Sequence, residues 1–310
     1  MSSFYGFTSY GGRETEGWFE RTVPTPGPSE LVIAVRAVGV NPVDYKIRNG
    51  ATANPEATPD FPLVLGVEAS GVVVGIGSDV DGFAEGDPVL GKTAPEHGSY
   101  AEHAVLLAED TTQKPPQLSF VDAAALPVAG GTAWDVLDKL GVCDGETLLI
   151  NGVGGGVGVV AAQLARNHGV AVFGIGSESK RSLTESLDAT LVPYDGGNVV
   201  EQVRALLPDG VDAVFDAVGG APMREVAVLV ADPSRIVSIV DPGVAELGGS
   251  FLVASSMGVP AVAGMVAEGK VDPKVLQTYP FGEAAQALRA VESGHVLGKI
   301  VIDLEQTTQG

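Results

Sequence analysis

Two hydrophobic patterns divide the chain. Up to about residue 120 the apolar runs are short, β-branched and bounded by glycine and proline. Residues 31–40 form one such run, between the proline-rich stretch 24–28 and Asn41-Pro42; residues 64–76 form another, with glycines at 66, 71 and 75. Gly86-Asp87-Pro88 turns the chain into Val89-Leu90, and residues 100–107 alternate in part. Strands punctuated in this way predict a small barrel or sandwich.

From about residue 121 strand-like and helix-like segments alternate. Residues 147–151 read as a short buried strand. Residues 156–168 have helical period, with Val157, Val160, Ala161, Leu164 and Ala165 sharing one face. Strands are predicted over 170–175, 191–193, 211–215, 236–240 and 251–254, and helices over 178–187, 199–207 and 223–230. Such alternation predicts an α/β domain with a doubly wound parallel sheet. Beyond about residue 270 the pattern offers one helix, 283–293, and one strand, 299–304.

The clearest chemical signal is Asn151-Gly152-Val153-Gly154-Gly155-Gly156-Val157-Gly158, after a predicted strand and at the start of a predicted helix. That context is what a dinucleotide fingerprint requires. Small residues admit a pyrophosphate close to the backbone, and the helix N-terminus offers it N–H groups and partial positive charge. Glycine clusters also make ordinary turns; here the surrounding βαβ train favours nucleotide binding. The end of the next strand chooses the cofactor. An NAD-binding domain usually places Asp or Glu there, for the ribose 2′-hydroxyl. This chain has Gly174-Ile175-Gly176-Ser177, with no carboxylate before Glu178, and then Lys180 and Arg181. The missing acid and the two cations predict NADPH; the alternative for both cations is a solvated helix face.

Charge and cysteine content narrow the classes. With 18 basic and 39 acidic residues the formal charge is −21, against nucleic acid or an anionic membrane as partner. The single cysteine, Cys143, excludes an intrachain disulfide and a multi-cysteine metal site; its place before a buried strand suggests a structural residue. Residues 148–162 are the nearest approach to a membrane span and are shorter than the roughly 20 residues a bilayer needs. The N-terminus lacks a basic segment followed by an apolar run. A cytoplasmic protein is expected, acting on a small molecule.

Several ordered motifs together resemble the medium-chain dehydrogenase/reductase superfamily, in its zinc-independent quinone oxidoreductase-like branch. They are Gly39-Val40-Asn41-Pro42-Val43-Asp44-Tyr45-Lys46, Leu65-Gly66-Val67-Glu68-Ala69-Ser70-Gly71, the stretch 77–90, Gly98-Ser99-Tyr100-Ala101-Glu102, residues 123–134, the glycine turn, Ser293-Gly294-His295 and Gly298-Lys299-Ile300-Val301. The resemblance implies a GroES-like β-barrel catalytic domain from residues 1–122 and 269–310, with a Rossmann nucleotide-binding domain at 123–268. Family members with catalytic zinc carry a Cys near Asp44 and Gly-His-Glu where this chain has Gly66-Val67-Glu68, so no metal is expected. His97 and His103, with Glu96 and Glu102 beside them, have a spacing that fits no common zinc site.

Without a Lewis acid the resemblance implies hydride transfer from NADPH to a quinone or an α,β-unsaturated carbonyl, whose charge spreads into a phenolate or enolate. Asn41 and Thr132 match family positions at the nicotinamide and substrate cleft. Asn41 either hydrogen-bonds a developing oxyanion or satisfies a buried turn before Pro42; Thr132 either serves the cleft or caps the helix that follows. Tyr45 is either a proton donor or a wall of the cleft. Many relatives carry a Tyr just after an Arg-x-Gly turn, whereas this chain reads Arg48-Asn49-Gly50-Ala51-Thr52. Tyr194 matches a Tyr set against the adenosine phosphate, or is a surface residue. The implied cofactor set is Gly152, Gly154, Gly155, Gly156, Val157, Gly176, Ser177, Lys180, Arg181, Tyr194, Val218, Ile239 and Lys299. A homodimer paired along the strand near 251–254 is expected. The competing reading is a catalytically weak NADPH-binding protein with a redox-sensing or structural role.

Overall fold

The computed structural model of the chain describes residues 1–51, 53, 59–294 and 296–306. Thr52 and His295, named above, lie outside these. The chain divides into two compact units, one of Met1–Val128, Val259–Ala267 and Val275–Gly310, the other of Ala129–Gly258 and Glu268–Lys274. Residues 123–128 and 259–267, expected with the middle segment, group with the first unit. Ala124 and Ala125 pack there in a buried cluster with Ala37 and Val301.

The first unit begins with β1 (Ser2–Phe7) and β2 (Glu16–Arg21), followed by the long β3 (Glu30–Val40) and a helix, α1 (Pro42–Arg48). β1, β2 and α1 fall in a region where the apolar pattern predicted only later strands. The helix starts because Asn41 stays extended, Pro42 pre-sets the first helical φ, and the Asp44 carboxylate accepts the Asn41 N–H at 2.8 Å. The run 64–76 is two strands, β4 (Leu63–Val64) and β5 (Glu68–Ile76). Gly66 breaks it with φ of +91°; a Cβ there would lie 2.4 Å from both Ser99 Oγ and Tyr100 Cδ1. β6 (Pro88–Thr93), β7 (His103–Gln113) and α2 (Phe120–Ala124) complete this part.

The second unit runs α3 (Ala129–Leu140), β8 (Thr147–Asn151), α4 (Gly156–Asn167), β9 (Ala171–Gly176), α5 (Arg181–Glu185), β10 (Thr190–Pro193), α6 (Val199–Leu206), β11 (Ala213–Asp216), α7 (Gly220–Val226), β12 (Ile236–Ser238) and β13 (Ser250–Phe251). Its six strands are parallel, in the order β10-β9-β8-β11-β12-β13, the doubly wound arrangement predicted. Leu149, Ile175, Val192, Val203, Val214, Met223, Val226 and Ile236 fill a core against the sheet. The helix predicted over 178–187 is a 3₁₀ turn followed by the short α5, and that over 223–230 ends at Val226.

The chain returns through α8 (Val259–Ala267), β14 (Val275–Pro280), α9 (Ala284–Glu292) and β15 (Lys299–Asp303). β14 and β15 extend the barrel sheet to the order β14-β15-β3-β5-β6-β7, and β3 pairs with β7 as well as β5. Phe7, Leu31, Ile33, Val38, Leu65, Val73, Tyr100, Leu106, Leu288 and Ile302 form its core. Among the described residues no helix is long and apolar enough to cross a membrane.

Candidate active site

Each glycine of the turn after β8 has its own reason. Gly152 takes φ of +95°, which lets its N–H and that of Val153 both donate to Ile175 O on β9, at 3.1 and 3.2 Å. Val153 is fully buried beneath Gly174, where a Cβ would lie 2.5 Å from its Cγ1. A Cβ on Gly158 would lie 2.5 Å from Gly152 O, so the helix packs directly on the turn. Gly155 is different. It is the extended N-cap of α4, and a Cβ there meets nothing nearer than Gly152 O at 3.6 Å. Among the described residues no side chain caps the helix. The turn therefore presents the first N–H groups of α4, Gly156 and Val157 included, beside an open glycine face, a cradle that fits a pyrophosphate.

At the same end of the sheet lies a buried carboxylate that the sequence reading did not single out. Asp216 closes β11, level with Asn151 and Ser238 on its neighbours. It accepts from Asn151 Nδ2 at 2.8 Å, Ser238 Oγ at 2.7 Å and the Val218 and Gly219 N–H groups at 3.0–3.2 Å. These donors tie three strand ends to the turn at 217–220. Val218 is more than half exposed, and its Cγ2 is 3.2 Å from where a Cβ on Gly152 would sit. The half-buried Ile239 donates its N–H to Asp216 O at 3.1 Å. Val218 and Ile239 thus flank the glycine turn's end of the sheet.

The end of β9 holds the residues of the cofactor argument. Arg181, read either as a cation for a 2′-phosphate or as a solvated helix residue, donates to Glu178 Oε2 at 2.8 Å and Glu185 Oε1 at 3.2 Å. Lys180 runs its arm over the turn: a Cβ on Gly154 would lie 2.3 Å from its Cδ, and one on Gly176 3.5 Å. Burial lowers its pKa from the ordinary lysine value. Ser177 Oγ is 2.8 Å from Ser179 Oγ. Tyr194 is more than half exposed just beyond β10. A carboxylate does reach this place before Glu178 in space: Asp195 accepts the Glu178 N–H.

In the first unit the site residues gather around the start of α1. Glu68, fully buried on β5, accepts from Asn41 Nδ2 at 2.7 Å and Lys299 Nζ at 2.6 Å through Oε1, and from the Val128 N–H at 2.6 Å through Oε2. Lys299 also donates to Asn41 Oδ1 at 2.5 Å. One expectation changes here. Lys299, read as a cofactor ligand, is only 4% exposed, and its ammonium is held by Glu68 and Asn41. The Asn41 amide, read either as an oxyanion donor or as a satisfied buried turn, directs its N–H groups to Glu68 and, at 3.3 Å, to Gly39 O, as the second alternative requires. Tyr45 is half-buried and packs on the barrel core. Arg48 is buried between Glu16 and Glu292.

Thr132 is buried in the first turn of α3, which begins at Ala129, so it is not an N-cap. Cys143, expected as a structural residue, is exposed. His103 Nδ1 lies 3.2 Å from Ser2 Oγ. The donor set also does not suit zinc: Val67 offers no ligand atom and Glu68 is saturated by a cation and two N–H donors. Among the described residues no group of three or more His, Cys, Asp or Glu is placed to hold a metal.

Known proteins resemble the chain over most of its length. Residues 27–116 match the alcohol dehydrogenase GroES-like domain, and residues 187–302 match a family described as zinc-binding dehydrogenase. The chain is 32% identical to the human mitochondrial NAD(P)H oxidoreductase RTN4IP1, over 89% of this chain and 82% of the relative. It is 33% identical to the chloroplastic NADPH-dependent alkenal/one oxidoreductase of Arabidopsis thaliana, over 90% and 73%. The quinone oxidoreductase structure from Coxiella burnetii superposes with a TM-score of 0.90 at 29% identity, covering 98% of this chain and 99% of that one.

Proposed function

The chain belongs to the medium-chain dehydrogenase/reductase superfamily, in its quinone oxidoreductase-like branch, and we propose that it is an NADPH-dependent reductase of quinones or α,β-unsaturated carbonyls that works without zinc. The observation that carries this reading is the open glycine face at Gly155 on an uncapped helix N-terminus. Relatives named for NAD(P)H and for alkenal/one reduction support it.

Bound NADPH supplies a hydride. The chain's own work is to hold donor and acceptor and to exclude water. The turn 152–158 and the N–H groups of α4 take the pyrophosphate. Lys180, arched over Gly154, is the cation we assign to a 2′-phosphate. Asp216 fixes Val218 and Ile239 at the sheet end. In the first unit the Glu68–Lys299 pair holds Asn41, and with it the start of α1, so that Tyr45 is presented from a rigid helix; we assign Tyr45 to the pocket wall and leave Asn41 the role of a satisfied turn. Thr132 is assigned to the nicotinamide side of the second unit. With no ligand atom on Val67 and Glu68 paired to Lys299, the site favours acceptors that delocalise their own charge.

The test is NADPH oxidation against a panel of quinones, enones and enoyl thioesters, with and without chelator, alongside elemental analysis. Turnover of quinones or enones that ignores chelator supports the reading. Turnover lost with one zinc per chain overturns it; tight NADPH binding with no turnover on any acceptor favours the redox-sensing alternative.

A further inference from the structure

The glycine at 176 leaves the end of β9 without the acid that recognises a ribose 2′-hydroxyl. The fold supplies one from the next strand. Pro193, the last residue of β10, is level with Gly176 in the parallel pair. The residues just past β10 therefore come beside those just past β9. Asp195 uses this register: its Oδ1 and Oδ2 accept the Glu178 N–H at 2.9 and 3.2 Å.

Two cations stand near this carboxylate. Arg181 is bound to Glu178 and Glu185 on its own helical turn. The Lys180 arm runs over Gly154 and Gly176. Three carboxylates and two cations thus share the place; Arg181 is engaged by Glu178 and Glu185, while the Asp195 carboxylate accepts the Glu178 N–H at the end of β9.

We infer that Asp195 is a specificity-determining residue that accepts a ribose 2′-hydroxyl and opposes a 2′-phosphate, so that it limits the preference for NADPH that Lys180 creates. The inference rests on the nucleotide-binding reading above. Its consequence is counter to the usual expectation for a site residue: removing the charge improves NADPH binding.

The experiment is titration of the parent and Asp195→Asn with NADPH and with NADH, followed by nicotinamide fluorescence at low and high salt. Asn keeps an acceptor for the Glu178 N–H, and the residue is exposed, so the variant folds; Asp195→Ser is the second variant, and melting temperatures check both. The NADPH-to-NADH affinity ratio is expected to rise about tenfold at low salt, the scale of removing one like charge near a phosphate, and the gain is expected to shrink at high salt. An unchanged ratio in folded Asp195→Asn and Asp195→Ser, or a shift towards NADH, overturns the inference while the nucleotide reading stands. A parent that binds neither nucleotide overturns both.

Discussion

Replacing Asp44 by Asn tests the electrostatics of the barrel's buried centre. Asp44 has no exposed surface; its Oδ2 accepts from the Asn41 N–H at 2.8 Å and the Tyr100 O–H at 3.0 Å, and its Oδ1 has no partner among the described residues. Burial dominates and pushes its pKa from 3.8 up to about 7, with a smaller push from Glu68, against the pull of Lys299 and the two hydrogen bonds. A raised folded-state value means that stability is fully present below the unfolded pKa and is lost as pH rises through the folded one. The whole span is worth about 4 kcal/mol at 1.36 kcal/mol per unit, of which about 2.5 kcal/mol falls between pH 5 and 8. Asn keeps the shape and one acceptor oxygen but cannot ionise. Urea unfolding at pH 5, 6, 7 and 8 is therefore expected to show the variant gaining on the parent by about 2.5 kcal/mol across the range. His97 and His103, whose values burial lowers, raise stability over the same pH range, but they do so in both proteins and cancel in the difference. Parallel curves for parent and variant would refute the reasoning.

Two further outcomes follow from the second unit. Gly155→Val is expected to fold with the parent's melting temperature, because its Cβ meets only Gly152 O at 3.6 Å, and to weaken NADPH tenfold or more in a fluorescence titration; unchanged affinity would make the loop a turn and nothing else. Light scattering is expected to give the mass of two chains at micromolar concentration, since β13 is a sheet edge with Phe251, Val253 and Met257 exposed at or just beyond it; the mass of one chain would refute pairing there.

Periodicity and punctuation carried much of the fold. The parallel strands were legible because short buried apolar runs such as Leu148-Leu149-Ile150 stand between helical faces. What periodicity missed was set by single residues. The run 64–76 reads as one strand until Gly66, whose left-handed backbone and contact with Ser99 and Tyr100 turn it. α1 is too short to show a helical period; its start is written in Asn41-Pro42 and Asp44, capping chemistry that was available but read as a strand boundary. α3 begins at Ala129 with small residues, Ala-Gly-Gly-Thr, that carry little helical signal of their own.

The site was legible where function depends on backbone and illegible where it depends on partners brought from elsewhere in the chain. Glycines at 152, 155 and 158 declare a turn because only the backbone matters there. A charged side chain declares nothing until its partner is known. Lys299 looked available for a cofactor, yet Glu68, 231 residues away in sequence, holds it inside the barrel. Breaking such a pair leaves a buried charge unmatched, at a cost of about 3–5 kcal/mol, so Lys299 supports Asn41 and α1 and is not free to meet a ligand. Asp216 looked like one acid among 39, and is the acceptor that joins three strand ends. Asp195 reverses a conclusion drawn from absence: the end of β9 has no acid in its own sequence and has one in space. On the inference proposed for Asp195, cofactor preference is set by two adjacent strand ends read together, since the parallel register places the residues after β10 beside those after β9.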